Sequence, residues 1–267
     1  MKAWRKLTNN ILNRQAVAVL GLSTYTRLLA ELPLRSVAIA RAGDLRPLDR
    51  AMAGATSSFQ FAGRRIRFDC AFADRLIHDG TYAFGIVREI LVRDCYLKHL
   101  PADTLHDLGR VVDLGANRGM FTVLAAAFAR QVLSIDADAR FRPVIEHNAR
   151  INGFGHISVD TAFVGAGGAL GAGARAGADL SDILGRHGLE TVDLMKMDIE
   201  GSEFALFRQP AWLRRVRRLS MEVHPRHGDP QEIVACLREH GFAMAFADGD
   251  LQQVASEAAF AYLYAWR

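Results

Sequence analysis

Carboxylates, glycines and one histidine stand at the ends of successive apolar runs in this 267-residue chain. Residues 111–119, Val-Val-Asp-Leu-Gly-Ala-Asn-Arg-Gly, end an apolar run in Asp113 and continue into a small-residue turn with Gly115, Asn117 and Gly119. The run Val-Leu-Ser-Ile is closed by Asp136, and Met197 is followed by Asp198-Ile199-Glu200-Gly201-Ser202-Glu203, three carboxylates within six residues. A further apolar run closes on Glu222-Val223-His224-Pro225. Glycines let backbone approach a ligand closely, and a strand-end carboxylate accepts the two hydroxyls of a ribose. A histidine or a placed carboxylate removes a proton near neutral pH. Singly, each has a structural explanation: Asp113 and Asp136 as caps, Glu203 on a helix dipole, His224 as a hydrogen-bonded scaffold residue. Their joint recurrence at strand ends points to one pocket.

The elements that must position them alternate. Strands are expected at 111–114, 132–135, 157–164, 192–197 and 219–223, with helices at 119–130, 138–152, 179–185, 202–208 and 230–241. Asn152-Gly153 ends the second of these helices. Residues 242–247 and 259–266 close the sheet as an antiparallel pair. This order gives an α/β fold, a doubly wound and mostly parallel sheet of seven strands, Rossmann-like, with ligands at the carboxyl ends of its strands. The domain expected at 101–267 follows an extension, 1–100, which is placed as a cap over the active site. Within it, 3–30 form one or two amphipathic helices, 59–68 a β-hairpin, and 83–98 a further helix. The Gly/Ala run 165–177 contains a superficial dinucleotide fingerprint at Gly171-x-Gly173-x-x-Ala176. It lacks the strand before and the long helix after, so a surface loop is expected.

Composition narrows the classes. Half of the residues are hydrophobic, enough for a sizeable core. Cys70, Cys95 and Cys236 are far apart, which argues against a disulfide framework or structural zinc and suits a reducing compartment. The formal charge is +4, yet the first 50 residues hold nine Lys/Arg against three acids, so the rest is net acidic. That argues against a nucleic-acid partner for the catalytic half, and none is expected. No apolar run is long enough to span a bilayer, and a cytoplasmic protein is expected. The basic, amphipathic residues 1–30 add peripheral contact with an anionic membrane.

With these residues assembled, the chain resembles the FkbM-type family of S-adenosylmethionine-dependent methyltransferases. The resemblance rests on DLGANRG at 113–119, on 135–138 with the helix to Asn148 and Asn152, on 180–184, on DLMKMDIEGSE at 193–203, and on MEVHP at 221–225. It covers roughly 108–265 and implies the class I methyltransferase fold. By that resemblance Asp113, Gly115, Asn117 and Gly119 hold the amino-acid end of S-adenosylmethionine, with Asp198 nearby. Asp136 binds the ribose, where the family commonly has Glu-Pro in place of Asp136-Ala137. Ala162 and Phe163 lie near the adenine. The implied reaction is O-methylation of a hydroxyl on a sugar, glycolipid or secondary metabolite. His224 is the first choice of base; Asp198, Glu200 and Glu222 are the other catalytic candidates. No metal is expected, although two or three of the carboxylates suit Mg²⁺. The competing readings are a non-catalytic cofactor-binding or scaffolding protein and a NAD-dependent dehydrogenase.

Overall fold

The structure, a computed structural model, describes residues 11–55, 58–106, 108–165, 177–255 and 259–267. The Gly/Ala run expected to form a loop therefore lies mostly outside the described residues, as do residues 1–10. Contacts group the chain into two compact units. One comprises 1–95, 118–127 and 140–155; the other comprises 96–117, 128–139 and 156–267.

In the first unit, α1 (Arg14–Ala42) is interrupted at Gly21, whose φ of 73° and ψ of 161° are not helical. The helix runs well past the expected end at residue 30 and carries Pro33 inside it. Asn13 caps its start, accepting from the Ala16 N–H at 2.7 Å. A short α2 (Arg46–Ala51) follows, and then the hairpin β1 (Ser58–Phe61) and β2 (Arg64–Arg67), with Phe59 opposite Ile66. After α3 (Cys70–Leu76), the helix expected over 83–98 is only α4 (Ala83–Val87), continued as one π turn over Arg88–Val92. The unit also holds α5 (Met120–Ala126) and α6 (Arg142–Asn152), which ends at Gly153 in the left-handed region.

The second unit is built on one sheet. Its strands are β3 (Arg110–Leu114), β4 (Gln131–Asp136), β5 (Ile157–Thr161), β6 (Leu194–Met197), β7 (Arg218–Glu222), β8 (Ala243–Ala247), β9 (Gln253–Val254) and β10 (Tyr262–Trp266). Their order is β5-β4-β3-β6-β7-β10-β8-β9. The first five run parallel, and β10 lies antiparallel between β7 and β8. That is the seven-stranded, doubly wound class I methyltransferase sheet, with the two-residue β9 added at its edge. The strand order reverses between the parallel neighbours β3 and β6, the switch point where such sheets bind ligands.

Beneath the sheet, α7 (Leu180–Arg186), α8 (Glu203–Phe207) and α9 (Pro230–Glu239) bury Leu184, Phe204, Phe207 and Ile233 with Trp212, Met195, Leu219 and Leu263. Cores of this kind hold a strand end still because small displacements forfeit packing. Gly115 shows how close the strand ends come. Its φ is +76°, and a Cβ there would run into the backbone carbonyl oxygen of Asp198. Gly115→Ala should therefore destabilise the protein by about 3 kcal/mol or more, through overlap and left-handed backbone together. Gly188, at φ +65° with nothing within 4 Å of its would-be Cβ, is the control, and Gly188→Ala should cost about 1 kcal/mol. Denaturant midpoints compare the two; equal losses would refute the close approach.

Candidate functional site

β3 and β6 are in register with Asp113 opposite Lys196. The Lys196 ammonium lies 3.3 Å from Asp113 Oδ1 and donates to the Gly115 carbonyl at 2.6 Å. Both side chains are buried. Burial alone would strip the charge from Lys196; the carboxylates of Asp113 and Asp198 reverse this and lift its pKa above the usual lysine range. The ammonium also sits 5.1 Å from the centre of the Tyr96 ring. Tyr96 in turn donates its hydroxyl to Asp198 Oδ2 at 2.9 Å.

Three backbone N–H groups of the turn after β3 are engaged with β4. The N–H groups of Gly115 and Ala116 donate to the Ile135 carbonyl at 2.9 and 3.1 Å, and the Asn117 N–H donates to Asp136 Oδ2 at 2.7 Å. Asp136 Oδ1 accepts from Asp138 N–H at 2.9 Å. Burial raises the Asp136 pKa against the pull of these bonds. Ala162 N–H donates to the Asp136 carbonyl at 2.9 Å, which brings the β5 end alongside, and Phe163 accepts from Ala178. These three amides are therefore not free to hold a phosphate.

After β6 the chain turns through two left-handed residues, Glu200 at φ 52° and Gly201 at φ 100°. A Cβ at Gly201 would overlap the His227 ring. Left-handed backbone at a non-glycine residue marks a constrained place, and here it directs Glu203 back under the site. Glu203 is 0 % exposed. Its Oε2 accepts from Gly201 N–H at 2.8 Å, while Oε1 takes the His224 N–H at 2.8 Å and lies 3.0 Å from His224 Nδ1. Desolvation works to raise the Glu203 pKa, but the hydrogen bonds from His224 and the backbone outweigh it and lower it. An ionised Glu203 can only accept, so Nδ1 carries the proton and Nε2 faces the pocket. There it lies 3.8 Å from Asp198 Oδ1 and 3.5 Å from Glu200 Oε2. Desolvation opposes charge on His224 too, yet Glu203, Asp198 and Glu222 push its pKa up to about 9. Asp198 Oδ1 is buried and accepts no hydrogen bond among the described residues.

The structure thus brings Asp113, Gly115, Asn117, Asp136, Ala162, Phe163, Asp198, Glu200, Glu222 and His224 onto the strand ends of one unit. Gly119 belongs to the other unit, where it begins α5 and packs on Ile145; a Cβ would lie 2.5 Å from Ile145 Cγ1. Asp113 supports the turn through Lys196 with its carboxylate wholly buried. Sequence reasoning passed over Lys196 and Tyr96 and gave Glu203 no catalytic place. A lysine in the middle of an apolar strand was the one available signal. The donor set fits a cofactor with positive charge and a ribose: carboxylates at 136, 198, 200 and 222, with the amides of Gly115, Ala116 and Asn117 already bonded to β4. Asp198, Glu200 and His224 also offer three atoms within 4.8 Å of one another, the spacing of a cation site.

Lys196→Met leaves Asp113 buried without a counter-charge and should cost about 3–5 kcal/mol of stability, with part recovered in the Asp113→Asn/Lys196→Met double variant. Urea unfolding measures both. A loss below 1 kcal/mol for Lys196→Met would deny the pair its structural role.

The family model of the methyltransferase FkbM domain matches residues 177–244. The 31-O-demethyl-FK506 methyltransferase FkbM of Streptomyces tacrolimicus is 35% identical over 85 residues, 29% of this chain and 33% of that protein. The match therefore spans about a third of the length of this curated relative. Among solved structures, the N-terminal domain of human METTL16 is 16% identical with a TM-score of 0.41, covering 61% of this chain and 62% of that one. An rRNA methylase from Streptococcus thermophilus is 12% identical with a TM-score of 0.41, covering 61% and 90%. Residues 177–244 are thus similar to the methyltransferase FkbM domain, and the sheet order agrees with the fold expected for it.

Proposed function

We propose that this protein transfers a methyl group from S-adenosylmethionine to a hydroxyl oxygen of a sugar, glycolipid or secondary metabolite. The observation that carries the reading is the buried Glu203, which holds His224 with Nε2 turned toward Asp198 and Glu200. The name of the curated relative, a methyltransferase acting on a 31-O-demethyl compound, supports oxygen as the acceptor atom.

Bound S-adenosylmethionine supplies an electrophilic methyl, whose C–S bond breaks to leave a neutral thioether. The chain supplies position and proton management. Asp136 offers its remaining lone pairs to the ribose hydroxyls, and the β3–β4 turn keeps its shape without help from the ligand. Asp198, fixed through Oδ2 by Tyr96, presents Oδ1 to orient the acceptor hydroxyl or a cationic group. As the acceptor oxygen attacks, its proton passes to His224 Nε2, and Glu203 stabilises the imidazolium that forms. Holding the oxygen in line with the methyl supplies much of the rate.

The pKa of His224 dictates a pH dependence. Its folded value, about 9, lies above the ordinary 6.5, so the free protein carries imidazolium at neutral pH and the base form grows as pH rises. The same shift stabilises the fold fully below about pH 6.5 and ceases to do so as pH passes about 9. Turnover should therefore rise between pH 7 and 9. Glu203→Gln should move that limb to lower pH while cutting kcat about 100-fold or more, since removing the carboxylate lowers the His224 pKa and frees its ring. A profile flat across this range and unchanged in Glu203→Gln would remove His224 as the base.

The cation spacing of Asp198, Glu200 and His224 favours a second reading, a metal-assisted transfer. Mg²⁺ prefers oxygen donors, and Glu200 is 72 % exposed, so we assign the cluster to the proton. Turnover is expected to survive EDTA. Calorimetry should show S-adenosylmethionine binding, weakened about tenfold by Asp136→Asn, and no binding of NAD. Loss of activity to EDTA that added Mg²⁺ restores, or uptake of NAD, would each overturn the assignment concerned.

A further inference from the structure

α1 is apolar on two opposite sides. One side carries Thr24 and Leu28, both buried, with Leu32 and Ile39 half-buried. These face the rest of its own unit, where α1 packs on α2, β1 and the π turn. Leu22, Leu29 and Val37 recur at intervals of seven and eight residues on the other side, with Pro33 and Leu34 beside them. Leu22 is 72 %, Leu34 73 % and Val37 61 % exposed. Every residue from 33 to 42 except Ile39 is exposed. A surface helix ordinarily turns polar side chains outward, and contiguous exposed apolar residues mark an interaction site.

Charge identifies the occupant. The unit that contains α1 holds 19 Lys/Arg against 9 Asp/Glu, a net +10, while the unit with the strand-end site is net −6. Arg27 and Arg41 flank the exposed stripe along the helix, whereas Arg35 lies on the far side, paired with Glu31 at 3.0 Å. Apolar residues bordered by arginines, on a helix set in a strongly basic unit, suit the boundary between acyl chains and anionic headgroups. A second copy of the chain would bring +10 against +10. No described helix is long and apolar enough to cross a membrane. The segment from Leu22 to Ala42 is about 30 Å long and can lie flat on the surface.

We propose that the exposed stripe of α1, Leu22, Leu29, Pro33, Leu34 and Val37, docks this protein on an anionic lipid surface. The contact is peripheral, made by apolar insertion and by Arg27 and Arg41 at the headgroups. It stands independently of the methyl-transfer reading.

The experiment is co-sedimentation of the full-length protein with vesicles of phosphatidylglycerol and phosphatidylcholine, against vesicles of phosphatidylcholine alone. Binding to the anionic vesicles is expected, weakened by salt. Leu22→Glu/Leu34→Glu/Val37→Glu should reduce the partition coefficient tenfold or more, and Arg27→Gln/Arg41→Gln should selectively lower the preference for anionic lipid. All five positions are exposed, and S-adenosylmethionine calorimetry on the variants separates loss of docking from loss of fold or cofactor. Equal sedimentation of wild type and both variants would overturn the proposal. So would a solution dimer that Leu34→Glu dissociates without any vesicle binding, which would give the stripe to a second copy.

Discussion

One buried ammonium organises the ligand end of the sheet. Lys196 lies across from Asp113 at the switch point, and from there it bonds the Gly115 carbonyl and underlies the Tyr96 ring. The turn after β3, the tyrosine, and through the tyrosine Asp198, are all referred to this single group. A buried pair of this kind adds little net stability compared with an apolar pair, because desolvation consumes most of the attraction. What it confers is placement. With one partner absent, the other is a stranded charge in a packed core, so alternative registers of β3 against β6 are strongly disfavoured.

Around that fixed point the charges divide into two kinds. Asp113 and Glu203 are buried and satisfied by the protein itself, the first by Lys196 and the second by His224 and backbone N–H groups. Asp136, Asp198, Glu200 and Glu222 remain half-buried or exposed at the strand ends. The buried acids shape the strand ends, and the outer ones are left available to a ligand. The left-handed turn at Glu200-Gly201 separates the kinds within DIEGSE, sending Asp198 and Glu200 toward the pocket and Glu203 beneath it.

Much of this was legible in the residue pattern. Strand-end acids and the alternation of apolar runs placed the parallel sheet, and the antiparallel closure by 242–247 and 259–266 is present as β8 and β10. Helix ends were less legible, as in the early stop of α5 at Ala126, because flanking alanines favour a helix whether or not packing continues it. The role of Glu203 could not be read from spacing. A carboxylate in the first turn of a helix has a sufficient local reason to be there, and only the folded backbone shows that His224, 21 residues later, closes on it. Lys196 was hidden likewise, since register alone sets it opposite Asp113. For α1, the pattern gave an amphipathic helix, while its second apolar side became evident only when the first was seen to be covered.

Under the proposed methyl transfer, the excess of acids at the strand ends bears on what happens after the methyl has moved. The fresh cofactor is a cation at sulfur, and the spent one is neutral there. The acids at 113, 136, 198, 200, 203 and 222 outnumber the cations beside them, Lys196 and His224, so their net field favours the charged form and weakens its hold once the methyl has gone. The same electrostatics that draws the cofactor in thus gives the cycle its direction, discriminating against the exhausted molecule at the door it must leave by.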